Sequence, residues 1–392
     1  MRPSHSALSA LLAAATLALL AAPLEAAAIP AFARKYRVSC TTCHAPVPRL
    51  KAYGEEFAAR GFAMEPGQEP ARAVLDVGDE ALQLPRDFPL AVRLDLYGEW
   101  ARQRNPQVDF QTPFVFKALM GGQIARDVSY YTYFIIENGG EAMGIEDAWV
   151  QFSSILGAPL DLVVGQFQIC DPIVKRELRL TREDYEILRV KPGLSQSNLT
   201  YDRGLIMVWH APAEVDLVGM VTNGNGIGPA TSAFDDDRFK TWSLRAAVPL
   251  GPVRLGLFGS IGRALGGTVG ELNETVYWGP DLAIALGEDL TISGQWLSRT
   301  DSNPRFDPAN TGNVVTRGGW LEAVWLPTGQ NGSFSVALLG NKVISGDSAA
   351  RRESVGLNGG WLFRRNVRVV AEARYDRLSE EARLSLGTVV AF

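Results

Sequence analysis

Between Pro89 and the C-terminal Phe392 apolar residues recur at every second position, and that period leaves few folds open. Val92, Leu94, Leu96, Gly98 and Trp100 alternate with Arg93, Asp95, Tyr97 and Glu99. Near the end Val367, Val369, Ala371, Ala373 and Tyr375 alternate with Arg368, Val370, Glu372, Arg374 and Asp376. Successive side chains of a strand point to opposite faces, so each run builds one apolar and one polar face. Sixteen such runs begin near Pro89, Phe114, Val128, Met143, Leu160, Arg203, Glu214, Phe239, Val253, Asn273, Asp289, Val314, Gly332, Arg352, Val367 and Arg383. Short turns such as Arg126-Asp127, Gly251-Pro252 and Arg365-Asn366 alternate with mostly longer connections near 102–112, 170–201, 223–238, 264–272, 302–313 and 344–351. Asn138 to Ala142 and Ser379 to Ala382 are short where the pattern wants length.

This arrangement predicts an all-β fold, a sixteen-stranded antiparallel outer-membrane barrel over residues 89–392 with both ends on the periplasmic side. Trp100, Trp209, Trp296, Trp325 and Trp361 stand at run ends, where interfacial aromatic girdles belong. A soluble sandwich or propeller alternates too, and the sequence does not say which face of a strand looks outward. Although 46% of the residues are hydrophobic, no later stretch reaches the roughly 18 consecutive apolar residues that a membrane helix needs. Any crossing beyond the N-terminus must therefore be made by strands.

Arg2, the apolar run Ala7 to Ala22 and the small residues Ala26, Ala27 and Ala28 read as a signal peptide over residues 1–28, cleaved before Ile29. The run is short for a membrane anchor and is followed by Pro23 and Glu25. Cleavage removes one charge of each sign, so the net charge stays near -5, and there is no basic block to suggest a nucleic acid partner.

Three cysteines in an exported chain of this length do not make a disulfide framework. Cys40-Thr41-Thr42-Cys43-His44 matches C-x-x-C-H, the pattern in which two thiols form thioethers with a haem and the next imidazole ligates its iron. A redox C-x-x-C belongs beside a βαβ unit, and tetrahedral zinc needs more Cys or His than the chain supplies. The reading is one covalent haem c on Cys40 and Cys43 with His44 as proximal ligand. Met64, twenty residues on, and His210 compete for the distal position, with water or another group as further options. Pro48 to Gly61 reads as an amphipathic helix with Leu50, Tyr53 and Phe57 on one face. The expected domains are a monohaem cytochrome c head at 29–75, a linker at 76–88 and the barrel. A head of this size cannot cover a haem alone, so the barrel lumen is its expected seat.

The stretch Ile29 to His44, followed by Pro48-Arg49-Leu50-Lys51-Ala52-Tyr53-Gly54, resembles the start of the outer-membrane cytochrome-porin fusions of iron-oxidising bacteria. Past those residues the likeness is architectural. It implies a cytochrome in the pore that takes electrons from extracellular Fe(II), an Fe(II)-oxidising electron-transfer activity, and passes them to periplasmic carriers. The alternative is a porin for a small solute, with the head as a structural or sensing plug. A periplasmic haem enzyme is a third reading, for which no further His, Lys or Tyr cluster near the motif speaks.

Arg93, Glu99, Arg245, Arg254, Glu322, Arg368, Glu372 and Arg374 are expected to line the lumen. The connection from Cys170 to Tyr201, dense in both charges, either folds inward as a constriction or lies as a solvated surface helix. Cys170 reads as a small packing residue. Asp235-Asp236-Asp237 offers hard oxygens for a cation, or is a solvated charge run.

Overall fold

The computed structural model describes residues 31–64, 74–75, 77–79, 84–86, 88–142, 144–212, 215–227, 235, 237–267, 270–309 and 312–392. The expected signal peptide, its cleavage site and part of the linker lie outside the described residues.

Sixteen antiparallel strands among these residues close into one barrel. They are β1 (Leu90–Ala101), β2 (Val108–Ala125), β3 (Val128–Asn138), β4 (Ile145–Phe152), β5 (Leu160–Gln168), β6 (Tyr201–Ala211), β7 (Val215–Thr222) and β8 (Thr241–Leu250). The circuit continues through β9 (Val253–Gly266), β10 (Glu271–Leu286), β11 (Leu290–Asp301), β12 (Val314–Trp325), β13 (Phe334–Ser345), β14 (Arg352–Arg364), β15 (Val367–Asp376) and β16 (Glu381–Ala391). A two-residue piece, Glu141–Ala142, precedes β4 and pairs with β3 as β4 does. Each strand pairs with its sequence neighbour, and β16 closes on β1 with Ser385 opposite Glu99. Closure satisfies the backbone hydrogen bonds at every edge, which a strand structure in lipid requires.

Which face looks outward is now decided. Leu244, Leu257, Leu321, Leu338, Ile344 and Leu386 are 48–63% exposed on the outer wall, whereas Glu99, Arg245, Glu322, Arg368 and Glu372 on the opposite parity are buried. A soluble sheet would have the reverse. The expected lumen residues therefore do point inward, and the large apolar outer surface fits lipid rather than water. This surface on a closed sixteen-stranded barrel places the chain in the outer membrane.

The head consists of three short helices, α1 (Ala31–Tyr36), α2 (Cys40–Cys43) and α3 (Ala52–Ala59). The helix expected from Pro48 to Gly61 forms only in its central part. It stops in a Schellman turn, in which the N–H of Phe62 donates to the Phe57 carbonyl at 2.9 Å and that of Gly61 to Ala58 at 3.1 Å. Gly61 has φ +66°, and a Cβ there would lie 1.9 Å from the Ser129 hydroxyl on β3, so glycine is needed twice over. Phe57 is buried, but Tyr53 on the supposed apolar face is 37% exposed. Phe32, Phe57 and Phe62 pack on one another with ring centroids 4.9–6.0 Å apart.

The expected fold class is thus corrected in one part. The barrel stands. The monohaem cytochrome c plug does not: the head's helices are six, four and eight residues long. Among the described residues no group of three or more His, Cys, Asp or Glu side chains is placed to hold a metal ion.

Candidate functional site

The connection between β5 and β6 folds into the barrel. Its buried apolar residues Cys170, Ile173, Tyr185, Ile187 and Leu188 continue the core formed by Phe167, Phe258, Leu297 and Leu339 on the wall. Cys170 has no exposed surface and is a packing residue, as expected. Of the two sequence readings, the inward constriction is the one that forms. Two short turns, a 3-10 turn at Arg176–Leu178 and α4 (Glu186–Arg189), stand in place of the supposed surface helix.

Charge holds this loop across the lumen. Arg182 donates to Glu99 on β1, and at 2.7 Å to the Ser385 hydroxyl on β16. The Glu372 carboxylate on β15 accepts from the backbone N–H of Arg182 at 2.6 Å and of Glu183 at 3.2 Å. Glu183 accepts from Arg374 at 2.9 Å. On the other wall Arg299 donates to the carbonyls of Val190 at 2.9 Å and Ser197 at 2.8 Å and to the Ser195 hydroxyl at 2.9 Å. Its guanidinium is paired with Asp301, both side chains fully buried. The Tyr185 ring lies 4.2 Å from that of Trp320.

Above the loop, toward the long connections, is a chamber of about 710 Å³ in which arginines such as Arg93, Arg104, Arg368 and Arg383 face carboxylates such as Asp95, Glu99 and Asp376. Arg368 is buried, yet its Nε and Nη1 have no hydrogen-bond partner among the described residues. Below the loop the head meets the same inner wall. Arg49 pairs with Glu322 on β12 at 3.3 Å, and Lys51 donates to Asn331 in the β12–β13 turn at 3.1 Å. Gln151 on β4 donates to the Ala59 carbonyl at 2.8 Å. Phe62 packs on Tyr131 at 5.3 Å and on Trp149 at 6.1 Å. Ala45 of the head and Leu180 of the loop share one apolar cluster with Val324, Leu326 and Ala337, so the two segments pack on the same patch of the wall.

The motif residues sit at the edge of the head. Ser39 caps α2 by accepting from the Thr41 N–H. His44 Nδ1 lies 2.8 Å from the Pro48 carbonyl, and burial lowers the imidazole from its ordinary range. Burial raises the Cys40 and Cys43 thiols, both half-buried and unpaired. Met64 packs beside Tyr36 and Phe57. It also lines a cavity of about 880 Å³ at the short-turn end, which it shares with His210, Asp161, Asp216 and Arg254 but not with His44. His210 does point inward, as its alternation with Trp209 requires, and it stands 3.2 Å from Asp161 and 3.5 Å from Asp216. The structure thus brings the two distal candidates to one cavity and sets the motif apart from it.

Asp237 accepts from the N–H groups of Phe239 at 2.6 Å and Leu265 at 2.9 Å, and Asp235 accepts from Lys240, so these carboxylates stitch loops; Asp236 lies outside the described residues. Sequence reasoning missed Phe62 and Gln151. An aromatic placed straight after a helix-stopping glycine was the available signal for the first; the second has none, because a glutamine on a lumen face is unremarked in any barrel.

No protein-family profile matches the sequence, and no characterised relative does either. Solved structures do. A loop L8 deletion mutant of OmpT, an outer membrane protein of Vibrio cholerae, matches 77% of this chain and 98% of its own at 10% identity, with a TM-score of 0.55. OmpF of Salmonella typhi, solved in complex with daunomycin, matches 81% of this chain and all of its own at 9% identity, also with a TM-score of 0.55. Identities this low speak for the fold, and the fold is a porin barrel.

The functional expectations built on haem are corrected accordingly. The match to porin barrels and the lack of a metal-holding cluster among the described residues replace the cytochrome-porin fusion with a porin-like barrel. The covalent haem c cofactor, the electron conduit, the Fe(II)-oxidising activity, and Fe(II) and periplasmic carriers as partners fall with it. The outer-membrane lipid context stands.

Proposed function

We propose that this chain is an outer-membrane porin for small polar or charged solutes, and that its N-terminal head acts as a plug on the periplasmic side of the lumen. The observation that carries the reading is the patch of wall at Val324, Leu326 and Ala337 on which Ala45 of the head and Leu180 of the loop both pack, with a chamber of about 710 Å³ on one side and one of about 880 Å³ on the other. Only about 280 Å³ of space lies between the head and the loop around Arg49, Glu55 and Lys175. A solute would pass a charged vestibule, the loop and then the head in series. The paired arginines and carboxylates of the vestibule replace water of hydration around polar solutes and offer nothing to apolar ones.

Planar-bilayer recording of the whole mature protein tests this. Deleting residues 29–75 is expected to raise single-channel conductance by on the order of tenfold, since sixteen strands otherwise leave an aqueous channel. Equal conductance with and without the head would put the head outside the pathway.

Cys40, Cys43 and His44 are part of the same proposal as a covalently engaged corner of the head, supported by their spacing alone. Alkylation of the denatured mature protein is expected to label Cys170 and leave Cys40 and Cys43 blocked. Three labelled thiols would remove the assignment.

A further inference from the structure

The outer wall carries a groove of about 780 Å³ that conduction does not use. Strand register explains it. Trp296, Gly319, Lys342 and Glu353 lie side by side in one row across β11 to β14, and the N–H of Arg377 extends that row by donating to the Glu353 carbonyl at 2.9 Å. One row nearer the short-turn end stand Leu321, Gly340, Val355 and Tyr375. Arg317 lies one row toward the long loops, opposite Ile344. Two glycines thus floor the groove, and large apolar side chains wall it. A Cβ on Gly340 would meet nothing within 4 Å, so the floor is open.

The charges sit at one end. Lys342 lies 3.9 Å and Arg377 2.7 Å from the Glu353 carboxylate, and the Arg317 guanidinium has no hydrogen-bond or ion-pair partner among the described residues. Three cations and one anion therefore rim the groove on the extracellular side, directly above an apolar band.

We propose that this groove holds a phosphorylated, multiply acylated lipid of the outer leaflet, with a phosphate among Arg317, Lys342 and Arg377 and one acyl chain lying over Gly319 and Gly340. In a bilayer an acyl chain gains nothing by leaving other chains for an apolar wall, so selectivity has to come from shape and from the headgroup. Both are present: a slot one side chain deep, and donors that form charge-assisted hydrogen bonds with phosphate oxygens. A second copy of this chain docked two-fold through the same patch would bring two such cation clusters into one interface with only a single carboxylate from each to offset them.

Native mass spectrometry of the full mature protein in a neutral detergent, with a diphosphorylated, multiply acylated glucosamine disaccharide as probe and phosphatidylcholine as control, reads this directly. One probe molecule should be retained, and the double variant Lys342→Ala, Arg377→Ala should weaken retention roughly tenfold. Gly340→Phe keeps every cation and fills the slot, and it should weaken retention as well. Heat-dependent gel mobility reports whether each variant has folded. The proposal is overturned if phosphatidylcholine is held as firmly as the probe, or if folded variants of both kinds retain the probe as the parent does. It is equally overturned if Gly340→Phe leaves probe retention alone and instead changes the oligomeric mass, which would make the groove an interface between copies.

Discussion

Two segments meet the inner wall of this barrel, and they are held by different means. The inward loop is part of the wall's own circuit: its ends are β5 and β6, its apolar residues join the barrel core, and its charges are matched by buried partners on strands all around. The head is joined through one end only. It rests on the Arg49–Glu322 ion pair, on hydrogen bonds from Lys51 to Asn331, from Gln151 to the Ala59 carbonyl and from Arg34 to the Leu90 carbonyl, on the apolar cluster at Ala45, and on the stack of Phe62 on Tyr131 and Trp149. The loop can be displaced only by disturbing the barrel's own circuit, whereas the head meets the wall through fewer contacts, among them the one that pairs the buried Glu322. On the proposed reading, a fixed constriction and a removable one stand in series.

The largest expected effect breaks the loop side of that contrast. Arg299→Ala strips three hydrogen bonds from the loop and leaves Asp301 buried without its partner, which should cost about 3–5 kcal/mol, read as a lowered urea midpoint of the whole barrel. Phe62→Ala is the matching change in the head. It should weaken docking by about 2–3 kcal/mol, since the ring is only partly buried, and free the head to protease attack with the barrel midpoint unchanged. A common midpoint shift in both variants would erase the distinction between the segments.

The smallest effect concerns acid. The N–H of Gly193, at the loop's return, donates to the Asp347 carboxylate at 2.7 Å, and this bond, assisted by that from Ala349, holds the carboxyl below the ordinary value of 3.8. A depressed carboxyl stabilises above its unfolded pKa and loses that contribution as pH falls through the folded one. The tether therefore persists at neutral pH and weakens only below about pH 4. Hydrogen exchange at the loop's return should accelerate there in the parent, and Asp347→Asn should flatten that pH dependence.

The sequence alone determined the number of strands, most of their boundaries and which side chains share a face. All three are local properties of a period-two chain, and the runs begun near Leu160, Val253, Val314, Arg352 and Val367 start where the strands do, to within a residue. It also determined that His210 and Trp209 part company across the wall. What only the tertiary structure decided is everything that depends on distant partners. Alternation is symmetric between inside and outside until the sheet closes. The charged loop reads better as a solvated surface helix until Glu99, Glu372 and Arg374 are seen to receive it. The C-x-x-C-H spacing names five adjacent residues and nothing of what surrounds them. In the fold the first four of them form the short helix α2 and His44 caps it, while Met64 faces a different cavity. Arg49 finds Glu322 at a separation of 273 residues, and no local pattern announces that pair. Periodicity records the direction of each side chain along one strand, whereas docking depends on which strands come to stand opposite, and only closure of the barrel sets that.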